Sequence, residues 1–109
     1  MTAAQPETIW HITTDGTPAR VGDEGFVHAS FTAQLAETLA VHYPDAHQVV
    51  LLRLDPTALG ERLVVEPSRG AALFPHVYGE IDAADVTDRV TLARGTSGAF
   101  PLEQLDGAP

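Results

Sequence analysis

The chain has 109 residues, 44% of them apolar, enough for one modest core and too apolar for wholesale disorder. It contains no cysteine, which excludes disulfides, thiolate metal sites and thiol catalysis. Fifteen acidic residues against six bases, all six of them arginine, give a net charge of -9; this disfavours bulk nucleic acid and anionic membranes as partners but leaves room for a small anionic ligand met by one or two arginines.

No apolar run approaches the roughly 18 residues needed to cross a bilayer. The opening Met1-Thr2-Ala3-Ala4-Gln5-Pro6-Glu7 has neither the basic nor the apolar stretch of a secretory signal. The expectation is a cytoplasmic protein of one domain, 1–109. Its folded core spans 8–94, and a tail, 95–109, is docked through Phe100 and Leu102 or flexible.

In chain order, Thr8 to Thr13 reads as a strand whose alternation turns Trp10 and Ile12 toward the core and His11 and Thr13 to the other face. Thr14 to Glu24 is loop, and Phe26 to Ala29 a short second strand. Ser30 or Thr32 is expected to cap a helix. Phe31, Leu35 and Leu39, with Ala36 and Ala40, form its apolar stripe, and it ends before Pro44. Val49 to Leu54 is nearly continuous apolar sequence, the pattern of a central strand buried on both faces. Asp55-Pro56-Thr57 opens a turn. Further strands are expected over Arg62 to Glu66, Leu73 to Ile81 and Val86 to Ala93. Strands outnumber helices without alternating strictly with them, which predicts an α+β domain with one main helix and a mostly antiparallel sheet.

Three strands carry the same small pattern: His11-Ile12-Thr13, His28-Ala29-Ser30 and His76-Val77-Tyr78. Residues two apart on a strand share a face, so each segment is expected to place an imidazole and a hydroxyl together. Imidazoles serve acid–base chemistry near neutral pH, and three that converge could hold zinc, although no local metal motif accompanies them. Their plain alternative is hydrogen bonding to backbone at strand ends. His42 and His47, flanking Pro44, read as solvated loop residues. Phe74 and Tyr78 share the face of His76, Phe74 as core and Tyr78 as core or ring-stacking partner. Among carboxylates Glu24, Glu66 and Glu80 lie near these segments, and Glu66, ending a strand, is the best catalytic candidate.

Ile9-Trp10-His11-Ile12-Thr13, Glu24 to Ser30 followed by a helix carrying Gln34, Val50 to Asp55, and Phe74-Pro75-His76-Val77-Tyr78-Gly79 together resemble domain of unknown function family 952, a set of small, mostly bacterial proteins. The loop between His11 and Gly25 is shorter here than in many members and lacks their inserted helix. That family is in turn distantly similar to the ADP-ribosyltransferase superfamily, which implies a split β-sheet with NAD in its cleft. His11 and Thr13 match that superfamily's first-strand motif, with Ile12 in place of its Gly. Phe26 to Ser30 is similar to a motif of the RNA 2'-phosphotransferase branch. The late catalytic Glu has no counterpart, and His76 stands in a comparable place.

Three functions remain open on this reading. The first is binding of a nucleotide-like ligand, NAD or a derivative, with ribosyl-transfer chemistry; His28, His76 and Glu66 are then catalytic, and His11, Thr13, Ser30 and Tyr78 contact the ligand. The second is a metal-dependent hydrolase or lyase using the three histidines. The third is an interaction module whose histidines are structural.

Overall fold

A computed structural model describes residues 8–68 and 72–106. In chain order it contains β1 (Ile9–Thr13), β2 (Val27–His28), β3 (Ser30–Phe31), α1 (Leu35–His42), β4 (Gln48–Leu54), α2 (Pro56–Leu59), β5 (Leu63–Pro67), β6 (Leu73–Val77), β7 (Val86–Ala93) and α3 (Glu103–Asp106). The strands form two antiparallel sheets, a four-stranded one in the order β3-β1-β4-β7 and a three-stranded one in the order β2-β6-β5. The architecture is α+β with few helices, as the pattern of elements predicts.

The four-stranded sheet is the centre of the molecule. Trp10 and Ile12 on one face pack with Val49, Leu51 and Leu92, under Leu35 and Leu39 of α1 and Phe100 of the tail. Ile9, Leu52 and Leu54 on the other face pack with Val27 and Val77 of the second sheet and with Leu59 and Ile81. The nearly continuous apolar run of β4 follows from this, since Leu51 and Leu52 are both fully buried on opposite faces. Each such leucine contributes about 1.5–3 kcal/mol by leaving water. The alternation expected for β1 is present, but its second face is no more exposed than its first: His11 and Thr13 are buried too.

The second strand departs from expectation. His28 pairs with His76 in the small sheet, whereas Ser30 pairs with Trp10 in the large one. The chain changes sheets at Ala29, whose N–H donates to the Pro75 carbonyl at 3.2 Å. His28 and Ser30 therefore do not share a face; the first is exposed and the second buried. Neither Ser30 nor Thr32 caps the helix. The Gln34 side chain accepts the Phe31 N–H, Thr32 accepts the Trp10 indole N–H, and Ser30 reaches Thr38 of α1 at 3.4 Å.

Two boundaries also move. The expected turn at Asp55-Pro56-Thr57 is the start of α2, with Asp55 accepting the Thr57 N–H and Pro at the first helical position. β6 stops at Val77 rather than Ile81. Tyr78 N–H still donates to the Arg62 carbonyl, and Gly79 then takes φ +147°. A Cβ at Gly79 would stand 3.0 Å from Arg62 Cδ. Arg62 grips Asp85 through Nη2 and Nη1, at 2.8 and 3.2 Å, and also bonds the carbonyls of Ala58, Leu59 and Glu80. This clamp ties α2, the start of β5 and the turn after β6 into one corner.

Candidate functional site

Because β3 covers β1 only at Ile9 and Trp10, the edge of β1 is unpaired by strand from His11 onward. Beside that edge, with His11 and Ile12 in its lining, lies a cleft of about 650 Å³, within the roughly 300–1,000 Å³ typical of small-molecule sites. Its walls come from the loop after β1 (Arg20, Gly22, Glu24), from β2 and β3 (Phe26, His28, Ser30), from α1 (Thr38, His42, Tyr43) and from the second sheet (Ser68, Phe74), with His11 at its base.

His11 is buried and holds two backbone groups at once. A backbone N–H can only donate, so the 3.0 Å contact from Ala19 N–H makes Nε2 the acceptor. The proton then sits on Nδ1, which donates to the His28 carbonyl at 2.8 Å. Burial holds this imidazole below its ordinary pKa, outweighing the bond to His28, and the proximity of the His28 side chain adds to the depression. Thr13 is likewise satisfied, donating to the Val50 carbonyl at 2.9 Å and accepting the Gly16 N–H at 2.8 Å. Both side chains fasten β1 to its surroundings.

His76 has a different arrangement. It is 3% exposed, and its Nδ1 lies 2.6 Å from Glu66 Oε2. The Tyr78 hydroxyl donates to the same oxygen. The pairing of β5 with β6 sets Val64 opposite His76 and Glu66 opposite Phe74, so all four point to one face, and Tyr78 just beyond β6 reaches back to it. The bonds from Tyr78 and then His76 hold the Glu66 carboxyl below its usual range, and the same carboxylate raises the Tyr78 phenol. As a carboxylate Glu66 only accepts, so His76 Nδ1 carries a proton. His76 Nε2 is buried without a hydrogen-bond partner among the described residues. An unsatisfied buried polar atom costs about 1–3 kcal/mol.

Phe26 stacks on the His76 ring, centroids 4.0 Å apart and planes 16° from parallel. His28 packs edge-on against both, at 5.5 Å from His76 and 5.0 Å from Phe26, and its Nε2 meets Glu24 at 3.0 Å on the exposed side. Phe26 and His28 both line the cleft, so the rings in contact with His76 are also part of its wall.

Of the seven candidate residues, the structure thus gathers His28, His76, Glu66 and Tyr78 at one corner, puts Ser30 in the cleft beside Thr38, and turns Thr13 toward β4. The three imidazoles do not offer a common metal site, because both nitrogens of His11 are bonded to backbone. Among the described residues no group of three His, Cys, Asp or Glu side chains is placed to hold a metal ion.

Phe26 and Arg20 belong to the cleft without having been singled out, and His42, expected in a solvated loop, stands in the last turn of α1 and lines the cleft. Phe26 stands two residues before His28, so the same alternation that grouped the histidines would have found it. His42 stands four residues after Thr38, on one helix face with it. No local signal marked Arg20.

A family model described as "Protein of unknown function (DUF952)" matches residues 3–89. No curated protein matches the chain. Among solved structures, the crystal structure of protein CC0527 from Caulobacter crescentus superimposes with a TM-score of 0.77 at 28% identity, covering 90% of this chain and 96% of that one. The solution NMR structure of CC0527 gives 0.75 at 29% identity, covering 90% and 95%.

Proposed function

The chain belongs to the DUF952 family, and we propose that it binds a nucleotide-like small molecule, NAD or a derivative of it, in the cleft between its two sheets, with ribosyl-transfer chemistry at the corner formed by His28, His76 and Glu66. The cleft itself is the observation that carries this reading. It has the volume for such a ligand and a lining suited to its three chemical parts. Phe26, Phe74 and Tyr43 offer ring faces for a planar base. Ser30 and Thr38 offer hydroxyls to a ribose. Arg20, exposed at the rim, has among the described residues none of the bonds to protein groups that hold Arg62, Arg89 and Arg94, and can meet a phosphate. An overall ADP-ribosyltransferase-like arrangement, with antiparallel strands divided around an NAD cleft, is part of the same proposal, as are a cytoplasmic setting and a single domain with its tail docked.

His11 supports the cleft in this reading by fixing the Ala19 loop and the β2 backbone on either side of it. Calorimetric titration with NAD and with ADP-ribose tests the proposal. Saturable heat is expected, weakened about tenfold or more by Arg20→Glu; absence of heat at millimolar ligand overturns it. A purely structural module is favoured for His11 alone, by its two backbone bonds.

A further inference from the structure

We propose that His76 is the proton-accepting group of the cleft and that the Phe26 ring is the gate over it. The assignment deepens the nucleotide reading and rests on it for the identity of the substrate. Three observations converge. Glu66 fixes the His76 ring through Nδ1, which leaves Nε2 as a lone pair when the imidazole is neutral. That Nε2 is buried with no partner among the described residues. The ring stacked over it, Phe26, is only partly buried, lines the cleft, and ends a loop whose turn closes through Gly25 N–H to the Gly22 carbonyl, with Gly25 at φ +89°.

Phe26 therefore has the cleft on one side and an unsatisfied imidazole on the other. Displacement of its ring uncovers the cleft-side face of the His76 imidazole, and Nε2, at the edge of that face, then meets whatever the cleft holds. The chemistry fits an N-ribosyl substrate. Water attacks the anomeric carbon, the bond from that carbon to the pyridinium nitrogen breaks, and its electron pair leaves with the neutral base. The proton of the attacking water goes to His76 Nε2 and from there to solvent. Glu66 stabilises the imidazolium formed in that step, and Tyr78, donating to the same oxygen, keeps Glu66 oriented. Glu66 and Tyr78 are positioning residues.

Labelling with diethyl pyrocarbonate, which acylates unprotonated imidazole nitrogens, tests the gate, because His11 is a built-in reference. His11 and His76 are 4% and 3% exposed, so burial alone predicts equal protection. The gate predicts that His76 labels at least about tenfold faster than His11 in the wild-type protein, because opening one ring is a smaller event than unfolding β1. Phe26→Leu speeds His76 further and leaves His11 unchanged; if the variant loosens the fold, His11 reports it, and the wild-type ratio still decides. Equal protection of the two histidines in the wild type overturns the proposal.

Positioning by Glu66 is read from long-range proton–nitrogen NMR. A single tautomer, Nδ1 protonated and Nε2 bare, is expected, and Glu66→Gln mixes the two; an unchanged spectrum overturns the role of Glu66. ADP-ribose at millimolar concentration is expected to slow labelling of His76 and not of the exposed His47. Calorimetric binding of ADP-ribose with no effect on His76 overturns the assignment while leaving the nucleotide reading intact. Calorimetric silence overturns the nucleotide reading and with it the ribosyl step, separately from the labelling ratio.

Discussion

His11 and His28 are joined through backbone: the imidazole of His11 donates to the carbonyl of His28 at 2.8 Å, while the His28 side chain points away to Glu24 and Phe26. Two copies of one short pattern thus serve opposite ends. One imidazole holds the sheets together and the other stands at the cleft.

Stability separates them. His11→Ala strands the Ala19 N–H and the His28 carbonyl and leaves a cavity, a loss of about 2–4 kcal/mol. His28→Ala removes an exposed side chain, with its surface pairing to Glu24 and its edge contacts to Phe26 and His76, a loss within about 1 kcal/mol. Urea unfolding of both variants checks the difference; equal losses would refute the division of roles.

The pH dependence of stability follows from the same residue. Burial lowers the folded-state pKa of His11, so the unfolded chain takes the proton more readily. The neutral-His11 contribution is complete above the unfolded value of about 6.5 and declines as pH falls through it, until the folded imidazole titrates. Glu66 and Asp85 are both held low, Glu66 by Tyr78 and His76 and Asp85 by Arg62. Their contributions persist above the ordinary carboxylate values and are lost only at more acid pH, as the folded carboxyls protonate. Unfolding midpoints measured across this range should therefore fall in two stages, and His11→Gln should flatten the first.

The chain has two tyrosines, and both phenols are raised, Tyr43 by burial and Tyr78 by its bond to Glu66. Ultraviolet titration of the wild type should show neither ionising at the ordinary value of about 10. Glu66→Gln should return one of them toward it. A curve unaltered by the substitution would mean that Tyr78 and Glu66 are not bonded in solution.

Gly79→Ala tests the corner behind His76. It combines a φ of +147° with a Cβ 3.0 Å from Arg62 Cδ, whereas Gly98, at φ +91°, has open space around it. Backbone strain of this kind costs about 1–3 kcal/mol. Thermal melts should show a larger loss for Gly79→Ala than for Gly98→Ala, since only the first also displaces the guanidinium that grips Asp85.

Much of the fold could be read locally. The helix before Pro44, the buried central strand and the last strand, Val86 to Ala93, match the apolar periods that predict them. Strand ends were less legible. β6 ends four residues early because Gly79 turns the chain into the Arg62 clamp, a contact made with a residue 17 positions earlier.

The sequence by itself determined the α+β class, the absence of thiol chemistry, the acidic surface and the presence of three imidazole–hydroxyl pairs, because composition and a period of two residues are local properties. Only the tertiary structure decided what each pair does. The change of sheet at Ala29 sends His28 outward and Ser30 inward, the backbone of a distant loop takes both nitrogens of His11, and the pairing of β5 with β6 brings Glu66 to His76. Alternation says which side chains share a face; which partners wait on that face is set by hydrogen bonds between segments far apart in the chain.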